Sequence, residues 1–167
     1  MVDFQVRSAV RADVPSLFGL IQALADYENL SQQVIGSPEQ LAQHLFDDQP
    51  YASVLVSVVL VDGVETVTGM ALYFYNYSTF RTQPGLYLED LFVLEAYRGQ
   101  GMGKALLKSL AVIAVEKGCG RFEWSVLDWN APSIAFYQHM GAEVLPDWRI
   151  CRVAGEALTR LSQGSET

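Results

Sequence analysis

The chain has 167 residues, half of them hydrophobic, and a formal net charge of -8. That length closes one sizeable core and is short for two ordinary domains, so a single domain over residues 1–167 is expected. The acidic balance argues against a nucleic-acid partner, because tracking phosphates draws on clustered Lys and Arg; it favours a small cationic one.

No apolar run approaches the roughly 20 residues of a membrane helix, and the start at Asp3 lacks the basic-then-apolar order of a secretion signal. A cytoplasmic protein without a membrane partner is expected. Cys119 and Cys151 cannot frame a disulfide scaffold and stand in no CxxC or Cys/His cluster, so no metal is implied and both are read as buried free thiols. His44 and His139 stand alone on predicted helices and are read as surface or hydrogen-bonded residues.

"DFQVRSAV", residues 3–10, alternates as a half-buried strand. Asp13 is placed to cap a helix running to about Glu28, with Leu17, Leu20, Ile21 and Leu24 as its apolar stripe. Ser37 before Pro38 and Gln40 starts a second helix that ends near Asp48. Residues 52–77 are rich in β-branched and aromatic side chains around Asp62-Gly63, which predicts a tight hairpin. Ser78 to Gly85 reads as a loop with a Pro-Gly stop, 86–93 as a strand, and Met102 to Gly118 as a helix. "RFEWSVL", 121–127, alternates again; Ala131 to Met140 forms a short helix ended by Gly141. A last strand is expected near Arg149 to Val153, with 162–167 as a frayed tail. At least one parallel crossover must join 86–93 to 121–127.

Arg98-Gly99-Gln100-Gly101-Met102-Gly103 lies between a strand and a helix, where helix-start amides lack partners and the dipole favours an anion. Spacing excludes two familiar cradles: GxxxxGK[ST] fails because Arg98 stands five before Gly103, and GxGxxG lacks its third glycine. A diphosphate cradle of another kind and a plain tight turn both remain open on the residues alone.

Arg98-x-x-Gly101-x-Gly103 after an apolar strand resembles the acetyl-coenzyme A signature of the GNAT N-acetyltransferase superfamily. "YLEDLFVLEAYRGQGMG", "VLDWNAPSIAFYQHMGA" and "LADYENL" together resemble its diamine (spermidine/spermine) acetyltransferase branch and the related thialysine Nε-acetyltransferases. The resemblance implies a GNAT fold: α/β, with a mixed twisted sheet of six to seven strands splayed in the middle and flanked by about four helices. It implies acetyl-coenzyme A as co-substrate, a small-molecule amine as acceptor, direct transfer and a homodimer.

It also implies residue roles. The backbone of Leu91, Phe92 and Val93 would pair with the pantetheine arm, Arg98, Gly99, Gln100, Gly101, Met102, Gly103 and Lys104 would hold the pyrophosphate, and Asn130 and Ser133 would contact the cofactor. Glu89 would be the general base and Tyr137 the general acid, while Tyr27, Glu28 and Asp90 would line the amine site, with Glu123 and Trp124 as further wall.

The chemistry behind these roles is elementary. An alkyl amine is mostly ammonium at neutral pH and cannot attack a thioester until it loses a proton, so a carboxylate both attracts and deprotonates it. A phenol can protonate a departing thiolate of similar basicity. In an ideal strand Glu89 and Asp90 point to opposite faces and need separate explanations.

Ser78 stands where the polyamine branch carries an acidic residue, as in the thialysine branch. One carboxylate fewer points away from a long polycation. The segment 78–85 is a residue longer and 141–148 shorter than the family pattern. Peptide and aminoglycoside N-acetyltransferases, and a non-enzymatic coenzyme A sensor, are the rival functions.

Overall fold

β1 (Phe4–Ser8) pairs antiparallel with β2 (Ser53–Val61). β2 turns into β3 (Val64–Ser78) through Asp62 and Gly63, whose φ values of 51° and 79° are the two left-handed positions of a tight hairpin turn. β3 runs back along β4 (Gln83–Val93), and β5 (Phe122–Trp124) joins β4 in parallel, so the sheet order is β1-β2-β3-β4-β5. α3 (Met102–Glu116) makes the crossover between β4 and β5. The computed structural model describes residues 2–164, and the chain divides into two compact units, one ending at Ser125 and the other beginning at Val126.

In the first unit, α1 (Val14–Tyr27) and α2 (Pro38–Phe46) cover one face of the sheet. Leu17 and Leu20 of α1 and Leu45 of α2 join Val54, Val56, Val58, Met70 and Phe92 in one buried cluster, with Ile21 and Leu24 packed against it. Each such buried side chain is worth about 1.5–3 kcal/mol. Ser57, between Val56 and Val58, points to the other face, where Thr68 bonds it at 3.2 Å and reaches Met102 Sδ of α3 at 3.4 Å. Leu106, Leu107 and Leu110 bury α3 on that side.

Ser37 caps α2 by accepting the Gln40 amide at 3.3 Å. Asp13 does not cap α1. Its carboxylate instead accepts from Arg7 at 2.7 and 3.0 Å and from the Val10 amide at 2.8 Å, because a guanidinium offers the stronger, charge-assisted bonds.

Among the described residues the sheet has five strands, fewer than the six to seven expected. Residues 149–154 form no strand and lie exposed. "RFEWSVL" is strand only over Phe122–Trp124. The predicted loop 78–85 shrinks to the turn 79–82: Pro84 and Gly85 belong to β4, paired with Tyr77 and Asn76 in a long ladder that overrides the Pro-Gly stop. Among the described residues five α-helices stand in place of about four, the addition being α5 (Gly155–Ser162). Ser162 is its last residue, and 165–167 lie outside the described residues. Cys119 is half-buried and Cys151 exposed, so neither is the buried thiol expected. No helix among the described residues is long and apolar enough to cross a membrane.

Candidate active site

The carboxylates of β4 owe their arrangement to a break in register. Gly69 to Leu72 of β3 face Val93 to Asp90 in order, but Tyr73 faces Leu88, which leaves Glu89 as the extra residue of a β-bulge. Leu86 and Leu88 are buried on the α3 side; beyond the bulge Leu91, opposite Ala71, resumes that side, and Phe92, opposite Met70, packs under α1. Glu89 and Asp90 therefore both lie on the α1 side, and the expected opposite orientation is corrected. Glu89 is exposed and Asp90 half-buried. Burial, then the charges of Glu89 and Glu28, push the Asp90 carboxyl up to about 6.

Glu28 arrives there because α1 ends in a specific cap. Asn29 takes φ 59°, the Leu30 amide bonds the Ala25 carbonyl at 2.8 Å and the Asn29 amide bonds Asp26 at 3.1 Å. These are the two bonds of a Schellman motif, with Asn in the left-handed position that glycine usually fills. The cap leaves Glu28 half-buried, and burial raises its carboxyl above the ordinary carboxylate range.

β4 and β5 pair only through Leu86–Phe122, Tyr87–Glu123 and Leu88–Trp124. From Glu89 onward β4 has no partner on its β5 side among the described strands. The strands part at the residue where the bulge begins, as the splayed fold requires. Glu123, paired with Tyr87, shares the carboxylate face and is held by Arg121 at 2.9 Å; the next residue, Trp124, turns to the α3 side beside Phe122, with ring centroids 4.9 Å apart. Glu123 and Trp124 therefore do not build one wall. Ser125 returns to the carboxylate face, where its hydroxyl meets Tyr87 Oη at 2.8 Å.

Past the end of β4 comes the glycine loop. Gly99 and Gly101 have φ of 74° and 91°, which L residues adopt only with strain. Gly101 is the N-cap of α3 and offers no side chain to its amides. The first helical bond runs from the Ala105 amide to the Gly101 carbonyl at 2.9 Å, so the amides of Met102, Gly103 and Lys104 precede any intrahelical acceptor. A Cβ added at Gly99, Gly101 or Gly103 would meet nothing within 4 Å. The loop thus presents bare backbone, unpaired donors and the Lys104 ammonium to open space, which fits an anion such as a pyrophosphate. The Gln100 side chain is already engaged, by the Val2 amide at 3.3 Å and the Ala96 carbonyl at 3.5 Å.

The Arg98 side chain makes contacts within the protein. Its Nε donates to the Val93 carbonyl at 2.9 Å, and its guanidinium carbon lies 4.8 Å from the Tyr27 ring centre and 5.3 Å from that of Phe92. Sequence reasoning placed Arg98 in the loop but gave no sign of this side-chain contact. It also missed the bulge, although the signal was present: the apolar positions facing α3 at 86 and 88 shift to 91 and 93, a change of parity that an ideal strand does not make.

The second unit presents Asn130, Ser133 and Tyr137 on and beside α4 (Ala131–His139). Asn130 caps the helix by accepting the Ser133 amide at 3.3 Å, as expected. Tyr137 packs against Phe136 with ring centroids 5.4 Å apart, and the Ala142 amide bonds its carbonyl at 3.0 Å across Gly141, at φ 93°.

Residues 21–142 match the model of the Acetyltransferase (GNAT) family. The chain is similar to the thialysine N-epsilon-acetyltransferase of Mus musculus, 36% identical over 97% of this chain and 99% of that protein. It is also similar to an L-ornithine N5-acetyltransferase of Arabidopsis thaliana, 32% identical over 95% of this chain and 88% of that protein. Among solved structures, an integron cassette protein from the mobile metagenome of V. cholerae superposes with a TM-score of 0.78 at 25% identity, covering 98% of this chain and 99% of that one. An aminoglycoside acetyltransferase from an uncultured soil sample shares the fold, with a TM-score of 0.73 at 18% identity over 90% of this chain and 97% of that one.

Proposed function

The chain belongs to the acetyltransferase (GNAT) family and is an acyltransferase, and from that premise we propose that it moves an acetyl group from acetyl-coenzyme A to the primary amine of a small cationic acceptor of the thialysine or ornithine kind. One observation carries the acceptor's chemistry: the bulge sets Glu89 and Asp90 on one face, with Asp90 within electrostatic reach of both Glu89 and Glu28, and burial has already lifted the Asp90 and Glu28 carboxyls. An ammonium relieves that strain by neutralising it, and a neutral acceptor does not.

Acetyl-coenzyme A supplies the thioester carbonyl that the amine attacks. The open glycine loop and the free amides before Ala105 support its pyrophosphate, and the unpaired edge of β4 over Leu91 to Val93 supports its extended arm. Asp90 and Glu28 hold the ammonium, Glu89 accepts its proton, directly or through a water, and Tyr137 donates a proton to the departing thiolate. Asn130 and Ser133 add cofactor contacts. The family match from 21 to 142 runs across both units of the chain, which supports one acetyltransferase domain.

Direct transfer is tested by initial rates with thialysine and acetyl-coenzyme A both varied. Intersecting reciprocal plots are expected; parallel plots, with an acetylated enzyme isolated in the absence of amine, would contradict it.

A further inference from the structure

The signature residue Arg98 opens the loop read as the phosphate cradle, yet its Nε–H and the face of its guanidinium are engaged by β4 and α1. Its Nε is bonded to the Val93 carbonyl at 2.9 Å. The planar group lies over Tyr27 at 4.8 Å and beside Phe92 at 5.3 Å, with those two rings 6.5 Å apart. It forms no ion pair among the described residues. Three separate elements meet in this contact: the start of the glycine loop, the last residue of β4 and the last residue of α1.

Tyr27 is followed directly by Glu28, whose charge reaches Asp90. Whatever fixes the Tyr27 ring fixes the end of α1 and hence the Glu28 carboxylate against the sheet. A guanidinium suits this task, because it is planar enough to lie on a ring while its Nε–H bonds in the plane; an ammonium cannot do both. The anion-facing donors of the loop are meanwhile supplied by backbone amides and Lys104.

We propose that Arg98 is a positioning residue for the amine side, clamping Tyr27 and the Val93 carbonyl so that Glu28 is held against β4, rather than a ligand of the cofactor's phosphates. This rests on the acetyl-transfer reading above. Arg98→Lys keeps the charge and removes the planar clamp. It is compared with Tyr27→Leu and the double variant in thialysine turnover at saturating acetyl-coenzyme A, with coenzyme A affinity measured by calorimetry.

Arg98→Lys is expected to raise the thialysine KM about three- to tenfold with a smaller change in kcat, and to leave coenzyme A affinity within about twofold. The double variant should be no worse than Tyr27→Leu alone, since both break one contact. An unchanged thialysine KM, a coenzyme A affinity that falls with a steeper salt dependence, or effects that multiply in the double variant would each overturn the proposal. A second readout does not need turnover. The Arg98 Nε–H resonance should be shifted upfield by the rings, move in Tyr27→Leu and stay put on addition of coenzyme A. A resonance that sits at the ordinary arginine position, or that coenzyme A displaces, contradicts the clamp even if no acceptor on trial is turned over.

Discussion

Glu89 and Asp90, neighbours in sequence, lie on the same face of the sheet, because a bulge against Leu72 and Tyr73 interrupts the alternation of β4 between them and Leu88. The bulge stands where β4 loses β5 as a partner. A single irregularity thus sets two carboxylates on one face, Asp90 within reach of the Glu28 charge, and coincides with the opening of the strand edge on which an extended cofactor arm can lie. Gly69 bounds the same region: a Cβ there would meet Ser57 Oγ at 2.7 Å and the Phe92 carbonyl at 2.9 Å.

Asp90 should cost the protein stability. Its folded carboxyl titrates at about 6, above the unfolded value, so the proton favours the folded state. The penalty for ionising it is complete above about pH 6 and vanishes below about pH 4, the unfolded range. Asp90→Asn should raise stability at pH 8 by at most about 3 kcal/mol and by much less at pH 4, as read by urea unfolding at both pH values. The same substitution should weaken the amine: kcat/KM for thialysine falls about tenfold or more and its acidic limb near pH 6 disappears.

Arg7 and Asp13 should act in the opposite sense. The Arg7 guanidinium holds the Asp13 carboxyl below its ordinary range, with desolvation opposing and the Val10 amide assisting. Stability from this pair is fully present above the unfolded carboxyl value near pH 4 and is lost as pH falls through the lower folded value. Asp13→Asn should cost about 1–3 kcal/mol at pH 7 and progressively less as pH falls below about 4, as measured by the same unfolding curves.

The glycine loop separates backbone strain from ligand contact. Gly101→Ala forces an L residue to φ 91° and should cost about 1–2 kcal/mol before any cofactor is present. Gly103 has an ordinary helical φ and open space at its Cβ position, so Gly103→Ala should stabilise the free protein by up to about 1 kcal/mol. If a pyrophosphate occupies that space, Gly103→Ala should nonetheless weaken coenzyme A about tenfold or more in calorimetry.

Glu89 and Tyr137 are assigned to the two proton movements. Tyr137→Phe should lower kcat about a hundredfold with coenzyme A affinity little changed, and Glu89→Gln should displace the pH profile of kcat/KM. Kinetics that match the parent in both variants would remove these roles.

Much of the framework was legible in local chemistry. Asp62-Gly63 wrote its hairpin, Ser37 and Asn130 wrote their helix starts, and Gly141 closed α4. The glycine loop could be located, but its open Cβ positions and the amides ahead of the first helical bond could not be read from the sequence. Long-range pairing was less visible. Pro84 and Gly85 looked like a stop yet are drawn into β4 by the ladder to β3, and Ser78, read as a mark of substrate class, is buried with its hydroxyl accepting the Arg81 amide at 3.4 Å. The strand expected near Arg149 from local alternation does not form, since pairing and not pattern decides a strand. Asp13 had a capping position but lost its carboxylate to an arginine on β1. The Arg98 contact with Tyr27 joins positions far apart in the chain, and no spacing rule encodes it.

The most direct test is coenzyme A release from acetyl-coenzyme A, with the acetylated product identified, across thialysine, ornithine, lysine, spermidine, putrescine, an aminoglycoside and a lysine-containing peptide. The account predicts turnover of the small cationic amino acids, with acetate on the side-chain amine and kcat/KM falling as the Asp90 carboxyl is protonated below about pH 6. Turnover confined to the peptide or the aminoglycoside, or no acetyl transfer to any amine by a protein that still binds coenzyme A, would contradict it.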